Sequence, residues 1–347
     1  MIIFVVLAIA AAASATGLIY QWLGTRRDRR SLPPPGELIE VDGLTMHVNV
    51  AGEGQPVVVF VSGISSSSLN WTALQRRVAA CTTAVAYDRP GLGWSGPSRR
   101  NLTAAWHARA LRDLLRTRGL PPPFVLVAHS FGSYIAQIFA DRYEDDVAAV
   151  LLVDPIGWEE WVEPGRDARR LIQGATLFGR IGALLAALGI VRLAVRRFRA
   201  GAPGVGRAVL GGFGRQAVAA VSRVMGEVGK MPPEVWDAIQ AHWSHPRAFL
   251  AMARQFAVLP ASADEVRAHA ASRTRPWSFP LVVLGAEQAP ELKVRVQQEI
   301  ATRSTAGEWI AAAGAGHWIH LDRPDAVMET LTRLIRRGAP GRSSPGS

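Results

Sequence analysis

The sequence predicts an α/β fold: a mostly parallel, eight-stranded sheet with helices on both faces and a helical insertion after the sixth strand. Three observations predict it. Short runs rich in Val, Leu and Phe recur along the chain, too continuously apolar for strands that face water on one side. Helical patterns separate these runs, the alternation that yields parallel strands. Between residues 157 and 277 the strand runs stop and the chain reads as helical throughout.

The N-terminus comes first. Met1 to Leu23 holds no charged side chain, and about 20 apolar residues span a bilayer as a helix. Arg26, Arg27, Arg29 and Arg30 follow at once. By the positive-inside rule this is a single-pass anchor with the remainder of the chain in the cytoplasm. The alternative is a protein exported after signal cleavage, for which Ala12-Ala13-Ser14-Ala15 is the candidate site. Residues 24–36, basic and then Pro-rich at Pro33-Pro34-Pro35, read as a stiff linker.

Leu38–Val41 and Met46–Val50 form two strands around Asp42-Gly43, a hairpin signal. Further strands are expected at residues 57–61, 83–87, 124–128, 148–153, 281–285 and 308–312. Helices are expected near 70–80, 104–118, 131–142, 291–302 and 324–337. Residues 339–347 are rich in Gly, Pro and Ser and are expected to lack structure.

Within the insert no acidic residue lies between Ala168 and Gly226. Leu184, Leu188, Val191, Val195 and Phe198 recur at spacings of three and four, an apolar stripe on one helix. Arg192, Arg196 and Arg199 form a basic stripe beside it. Two uses are open. The helix packs on the site with its arginines solvated, or it lies in a membrane interface with leucines in the acyl boundary and arginines on phosphates. Ile181–Val191, bounded by Arg180 and Arg192, is too short to be a second span.

Composition narrows the function classes. The formal charge is +11, and only Lys230 and Lys293 of the 39 basic residues are lysines. Residues 157–277 carry 17 basic and nine acidic side chains, so most of the excess sits in the insert. No recognition-helix pattern or aromatic-interleaved basic strand accompanies it, and nucleic acid is not an expected partner. Hydrophobic residues make up 49% and charged ones 19%, which suits membrane contact. The single cysteine, Cys81, excludes an internal disulfide and a cysteine-based zinc site, and is expected in the core at a helix end. His242-Trp243-Ser244-His245 has a metal-like spacing but no carboxylate or cysteine companion, so no metal is expected. The glycines from Gly201 to Gly214 follow no strand, which removes the basis for a dinucleotide cofactor. Nothing in the pattern specifies an oligomeric state.

Ala128-His129-Ser130-Phe131-Gly132 carries the most chemistry. It follows the apolar run Phe124–Val127 and opens a helical pattern, the context in which a sharp strand-to-helix turn lifts a serine Oγ clear of the backbone. The residues two before and two after, Ala128 and Gly132, are small, as close backbone approach at that turn demands. An alcohol is a poor nucleophile near neutral pH and needs a base within reach. His317, in the Gly-rich stretch Gly314-Ala315-Gly316-His317 after the last strand, is the candidate. His129 and His320 read as packing residues.

Three further stretches lie in matching order: Val57–Val61 ending in Ser62-Gly63-Ile64, the turn Tyr87–Ser95, and Gly314–Asp322. Together these residues resemble the α/β-hydrolase family, specifically its lid-bearing members with a serine nucleophile. The resemblance covers residues 37–156 and 278–338 and implies that 157–277 is a lid. It implies His317 as general base, and an oxyanion hole built from the backbone N–H groups of Phe131 and Ile64. Relatives often carry His-Gly where this chain has Ser62-Gly63. Most also place the acid in a Gly-x-x-Asp turn after the strand matching Leu281–Leu284, where Gln288 stands here. Asp154, at the end of the preceding strand, is the preferred substitute, with Glu287 as the alternative acid. Asp88 and Arg89 read as structural.

What the resemblance implies is hydrolysis of small-molecule carboxylic esters, lipid-like ones included, through an acyl-enzyme on Ser130 and without a cofactor. Serine at the elbow argues against haloalkane dehalogenase and epoxide hydrolase chemistry, which uses an aspartate there. The alternatives are serine-based hydrolysis of a peptide, lactone or carbon–carbon bond, or a non-catalytic scaffold that binds a ligand.

Overall fold

The computed structural model describes residues 1–199 and 226–338. The glycines from Gly201 to Gly214, the tail 339–347 and the side chain of Phe198 lie outside the described residues.

Eight strands form one sheet in the order β1-β2-β4-β3-β5-β6-β7-β8. They are β1 (Glu37–Val41), β2 (Leu44–Ala51), β3 (Val57–Val61), β4 (Ala84–Tyr87), β5 (Phe124–His129), β6 (Val147–Val153), β7 (Leu281–Ala286) and β8 (Gly307–Ala312). β1 pairs antiparallel with β2, and β2 with β4; every other neighbouring pair is parallel. Each strand begins and ends within two residues of its expected position. Alternation explains the two cores. Val57, Val59 and Val61 of β3 face one side and Val58 and Phe60 the other, all fully buried. The first side is covered by α3 (Ala104–Thr117) and α4 (Gly132–Arg142), the second by α2 (Thr72–Ala79) and, from the C-terminus, by residues of 324–338.

The chain enters the sheet behind α1 (Ile2–Ser31). That helix is longer than the apolar stretch, and residues 24–31 belong to it rather than to a linker. No proline precedes Pro33, and the residue before a proline disfavours helical geometry; Leu32 accordingly leaves the helix at φ −128°. Every side chain from Met1 to Thr16 is exposed. Among the described residues α1 is the one helix that is by itself long and apolar enough to cross a membrane, a test that a signal sequence also passes.

The described part of the insert is helical: α5 (Glu159–Val162), α6 (Arg166–Ala187), α7 (Ile190–Arg199), α8 (Trp236–Trp243), α9 (Pro246–Ala257) and α10 (Leu259–Ser272). The expected single stripe from Leu184 to Phe198 is broken. Gly189 adopts φ +72°, and α6 and α7 meet at 88°. The break is where α1 passes: a Cβ on Gly17 would lie 2.3 Å from the Leu188 carbonyl oxygen, and one on Gly189 would lie 2.7 Å from the Tyr20 ring. The bend turns Arg192 inward, away from the solvent or lipid face assigned to it. It is buried, pairs with Asp28 at 2.7 Å, and donates from Nε to Gln21 Oε1 at 2.9 Å.

Cys81 is exposed rather than in the core. It lies in the turn after α2, where the neighbouring Thr82 and Thr83 point inward instead. After β7 come α11 (Glu291–Ala301), then β8, α12 (Ile319–Asp322) and α13 (Pro324–Gly338).

Candidate active site

β5, a central strand, delivers Ser130 at its C-terminal end and α4 carries the chain away. Ser130 sits at φ +52°, a left-handed conformation that a non-glycine residue holds only when its surroundings enforce it. Gly132 shows what enforces it: a Cβ there would approach the Val61 carbonyl oxygen to 2.5 Å. Gly63 closes on the other side, where a Cβ would lie 2.9 Å from His129 Nδ1 and 3.2 Å from Ser130 Cβ. The serine itself is half-buried.

β6 ends at Asp154, also left-handed at φ +46° and fully buried. Its N–H donates to the Leu284 carbonyl at 2.7 Å, which locks the turn to β7. Its Oδ2 lies 2.5 Å from His317 Nδ1. The same oxygen accepts from the Lys293 ammonium, while Oδ1 accepts from Gln297 Nε2 at 2.9 Å and more loosely from the Ala286 N–H. Burial alone would push this carboxyl up, but the hydrogen bond from His317 and the Lys293 charge hold it below its usual range. Glu287 is exposed and accepts from the Gly314 N–H at 2.8 Å. Of the two candidate carboxylates, Asp154 is the one that meets His317.

His317 is half-buried at the end of the glycine loop. A carboxylate on Nδ1 selects the tautomer protonated there and leaves Nε2 as the acceptor. The loop is pinned from three directions. His129 Nε2 donates to the His317 carbonyl at 2.9 Å, Asp322 Oδ2 accepts from Gly316 N–H at 2.8 Å, and Lys230 pairs with Asp322. His129 and His320 are fully enclosed and neutral. Burial pushes His129 well down and His320 down to about 3, and His320 stacks on Trp71 at 4.5 Å.

Among the described residues no acceptor takes the N–H of Ile64 or of Phe131. The Ile64 loop is held from behind: Arg89 donates to the Gly63 carbonyl and lies 5.2 Å from the centre of the Phe131 ring. Ser65, at φ +57°, gives its N–H to Gln255 Oε1 of α9 at 2.8 Å, which ties the insert to this loop. Asp88 accepts from Ser68 N–H, Trp94 N–H and His47 Nδ1 at 2.7, 3.0 and 2.8 Å. It thereby braces the Gly91–Gly93 turn, where a Cβ on Gly93 would sit 2.0 Å from its Oδ2.

A family profile described as "Alpha/beta hydrolase family" matches residues 58–330. The chain belongs to the alpha/beta hydrolase family. Among its relatives, the Bacillus subtilis protein YqjL is 32% identical over 116 residues, which is 33% of this chain and 46% of the relative. The chain spans about half the length of the curated relatives it matches. Solved structures superpose over nearly their whole length. A thermophilic esterase from Thermogutta terrifontis matches with a TM-score of 0.60 at 21% identity, over 87% of this chain and 99% of that one. The epoxide hydrolase CorEH matches with a TM-score of 0.62 at 19% identity, over 86% and 98%. At such identities they speak to the fold alone.

The sequence reading missed Lys293, Gln297 and Gln255. Lys293 and Gln297 are four apart on α11, the helix that follows the turn lacking the usual aspartate, so both lie on one face of it. That spacing was the available signal.

Proposed function

We propose that this hydrolase is a membrane-anchored serine esterase. Ser130 Oγ attacks the ester carbonyl while His317 Nε2 takes its proton. The N–H groups of Phe131 and Ile64 receive the oxyanion as the tetrahedral intermediate forms. His317 returns the proton to the departing alcohol, leaving an acyl-Ser130. A water molecule, deprotonated by the same Nε2, then releases the acid. Asp154 keeps the proton of the neutral imidazole on Nδ1 and stabilises the imidazolium.

The observation that carries this reading is the 2.5 Å contact of Asp154 Oδ2 with His317 Nδ1, together with a serine held at φ +52° next to His129, whose ring lies 4.7 Å from that of His317. A serine alkoxide adds to an acyl carbon and can be regenerated from the acyl-enzyme by water, which suits esters. The bare apolar segment of α1, followed by Arg26 to Arg30, supports a membrane anchor with the enzyme on the cytoplasmic side. Such an anchor favours lipid-like esters as substrates, since they reside where the enzyme does.

Labelling by a fluorophosphonate probe tests the chemistry. Wild-type protein in membranes is expected to label and Ser130→Ala not to. Absence of labelling in folded wild-type protein would overturn the reading. Sedimentation tests the anchor, since removing residues 1–16 is expected to release the protein from the membrane fraction.

A further inference from the structure

Lys293 is half-buried on α11, and its ammonium bonds to the same oxygen of Asp154 that meets His317. This chain uses arginine for all but two of its 39 basic residues. Both exceptions serve the histidine loop: Lys293 on Asp154, and Lys230 on Asp322, which accepts from Gly316 N–H. A lysine is a compact point charge that can share one carboxylate oxygen with an imidazole. An arginine fork would take both oxygens and displace His317 or Gln297.

The geometry points to Lys293 as a positioning residue that sets the basicity of His317, an inference that rests on the Ser130–His317–Asp154 reading. With a neutral imidazole, Asp154 would be an enclosed negative charge without a counterion, a costly state that imidazole protonation relieves. Lys293 supplies the counterion instead. The carboxylate stays ionised without requiring a charge on the imidazole. Lys293 also holds Oδ2 toward Nδ1 while Gln297 holds Oδ1.

The other ionisable groups near the loop do not substitute for it. His129 from β5 and His320 from α12 are buried and neutral. Asp322 is paired with Lys230, and Glu287, after β7, is turned to the Gly314 N–H.

The test is the pH dependence of fluorophosphonate labelling rate, with hydrolysis of a soluble p-nitrophenyl ester as a second readout. In Lys293→Met and Lys293→Gln the acid limb of both profiles is expected to move up by about one pH unit or more, because the imidazolium gains stability. Lys293→Arg keeps the charge. Its acid limb is expected not to move up while kcat falls and KM holds. Thermal melts identify variants that fail to fold, and the three substitutions together keep at least one informative.

An acid limb unmoved in folded Lys293→Met or Lys293→Gln would overturn the assignment, as would an equal shift in Lys293→Arg. Wild-type protein that fails to label at any pH would instead overturn the triad reading.

Discussion

Arg192 and Asp28 form an ion pair at 2.7 Å, with the arginine side chain 7% exposed and the aspartate 25%. One lies on α7 of the insert and the other near the end of α1. Gln21 reinforces the pair, accepting from Arg192 and donating to the Ser244 carbonyl at 2.9 Å. The N-terminal helix is therefore bolted to the insert, not hung from it. Arg192→Met strands Asp28 and is expected to cost about 2 kcal/mol, below the range for a fully buried pair because Asp28 keeps some water. Arg192→Met with Asp28→Leu is expected to recover most of that. Thermal unfolding in detergent reads both; equal losses in single and double variants would mean the pair is not coupled.

The two carboxylates near the histidine loop separate cleanly by mutation. Asp154→Asn removes the charge that faces Nδ1 and is expected to lower kcat by about 10³- to 10⁴-fold. Glu287→Gln keeps an acceptor for the Gly314 N–H and is expected to change kcat by less than about threefold. Steady-state hydrolysis of p-nitrophenyl esters decides it. A larger loss in Glu287→Gln would reverse the assignment.

Glycine to alanine has opposite signs at two positions. Gly132→Ala places a methyl 2.5 Å from the Val61 carbonyl oxygen and 2.9 Å from that of Ser62, both backbone atoms. It is expected to cost about 1–3 kcal/mol and to suppress fluorophosphonate labelling, since the elbow itself must shift. Gly174 lies inside α6, and a methyl there would meet no atom within 4 Å beyond the helix's own neighbouring backbone. Gly174→Ala is expected to stabilise by up to about 1 kcal/mol. Denaturation midpoints and probe labelling check the pair.

Acid weakens this fold through buried neutral histidines before it reaches the carboxylates. Burial pushes His320 down to about 3 and His242 to about 4, from an ordinary 6.5. The unfolded chain takes up protons below pH 6.5 that the fold refuses, so stability falls as pH drops from 6.5 toward 4. Each such histidine removes up to about 2 kcal/mol by pH 5. Asp88 and Asp154, held below the usual carboxylate range, contribute stability that is lost only below about pH 4. His320→Phe keeps an aromatic ring on Trp71 and removes one titration. Its melting temperature is expected to fall less steeply between pH 6.5 and 5, and an unchanged slope would count against a neutral His320.

The order of strands and helices was written in local pattern, because a strand buried on both faces must be apolar at every position and a covering helix at every third or fourth. The elbow at Ser130 and the glycine loop before His317 were legible for a similar reason: a tight turn needs small residues at fixed offsets, here Ala128, Gly132, Gly314 and Gly316. The acid was not. Asp154 and Glu287 both follow strand ends, and which one meets His317 depends on where two neighbouring strands stop; Asp154 and His317 are 163 residues apart along the chain. The bend at Gly189 was equally hidden, since its cause is the backbone of Gly17 on another helix. Periodicity placed Arg192 on an outward stripe; the partner that turned it inward lies 171 residues away at Gln21. Short-range pattern thus determined the elements and the nucleophile's turn, while long-range packing decided which charges meet, because an ion pair is defined by separation in space and not along the chain.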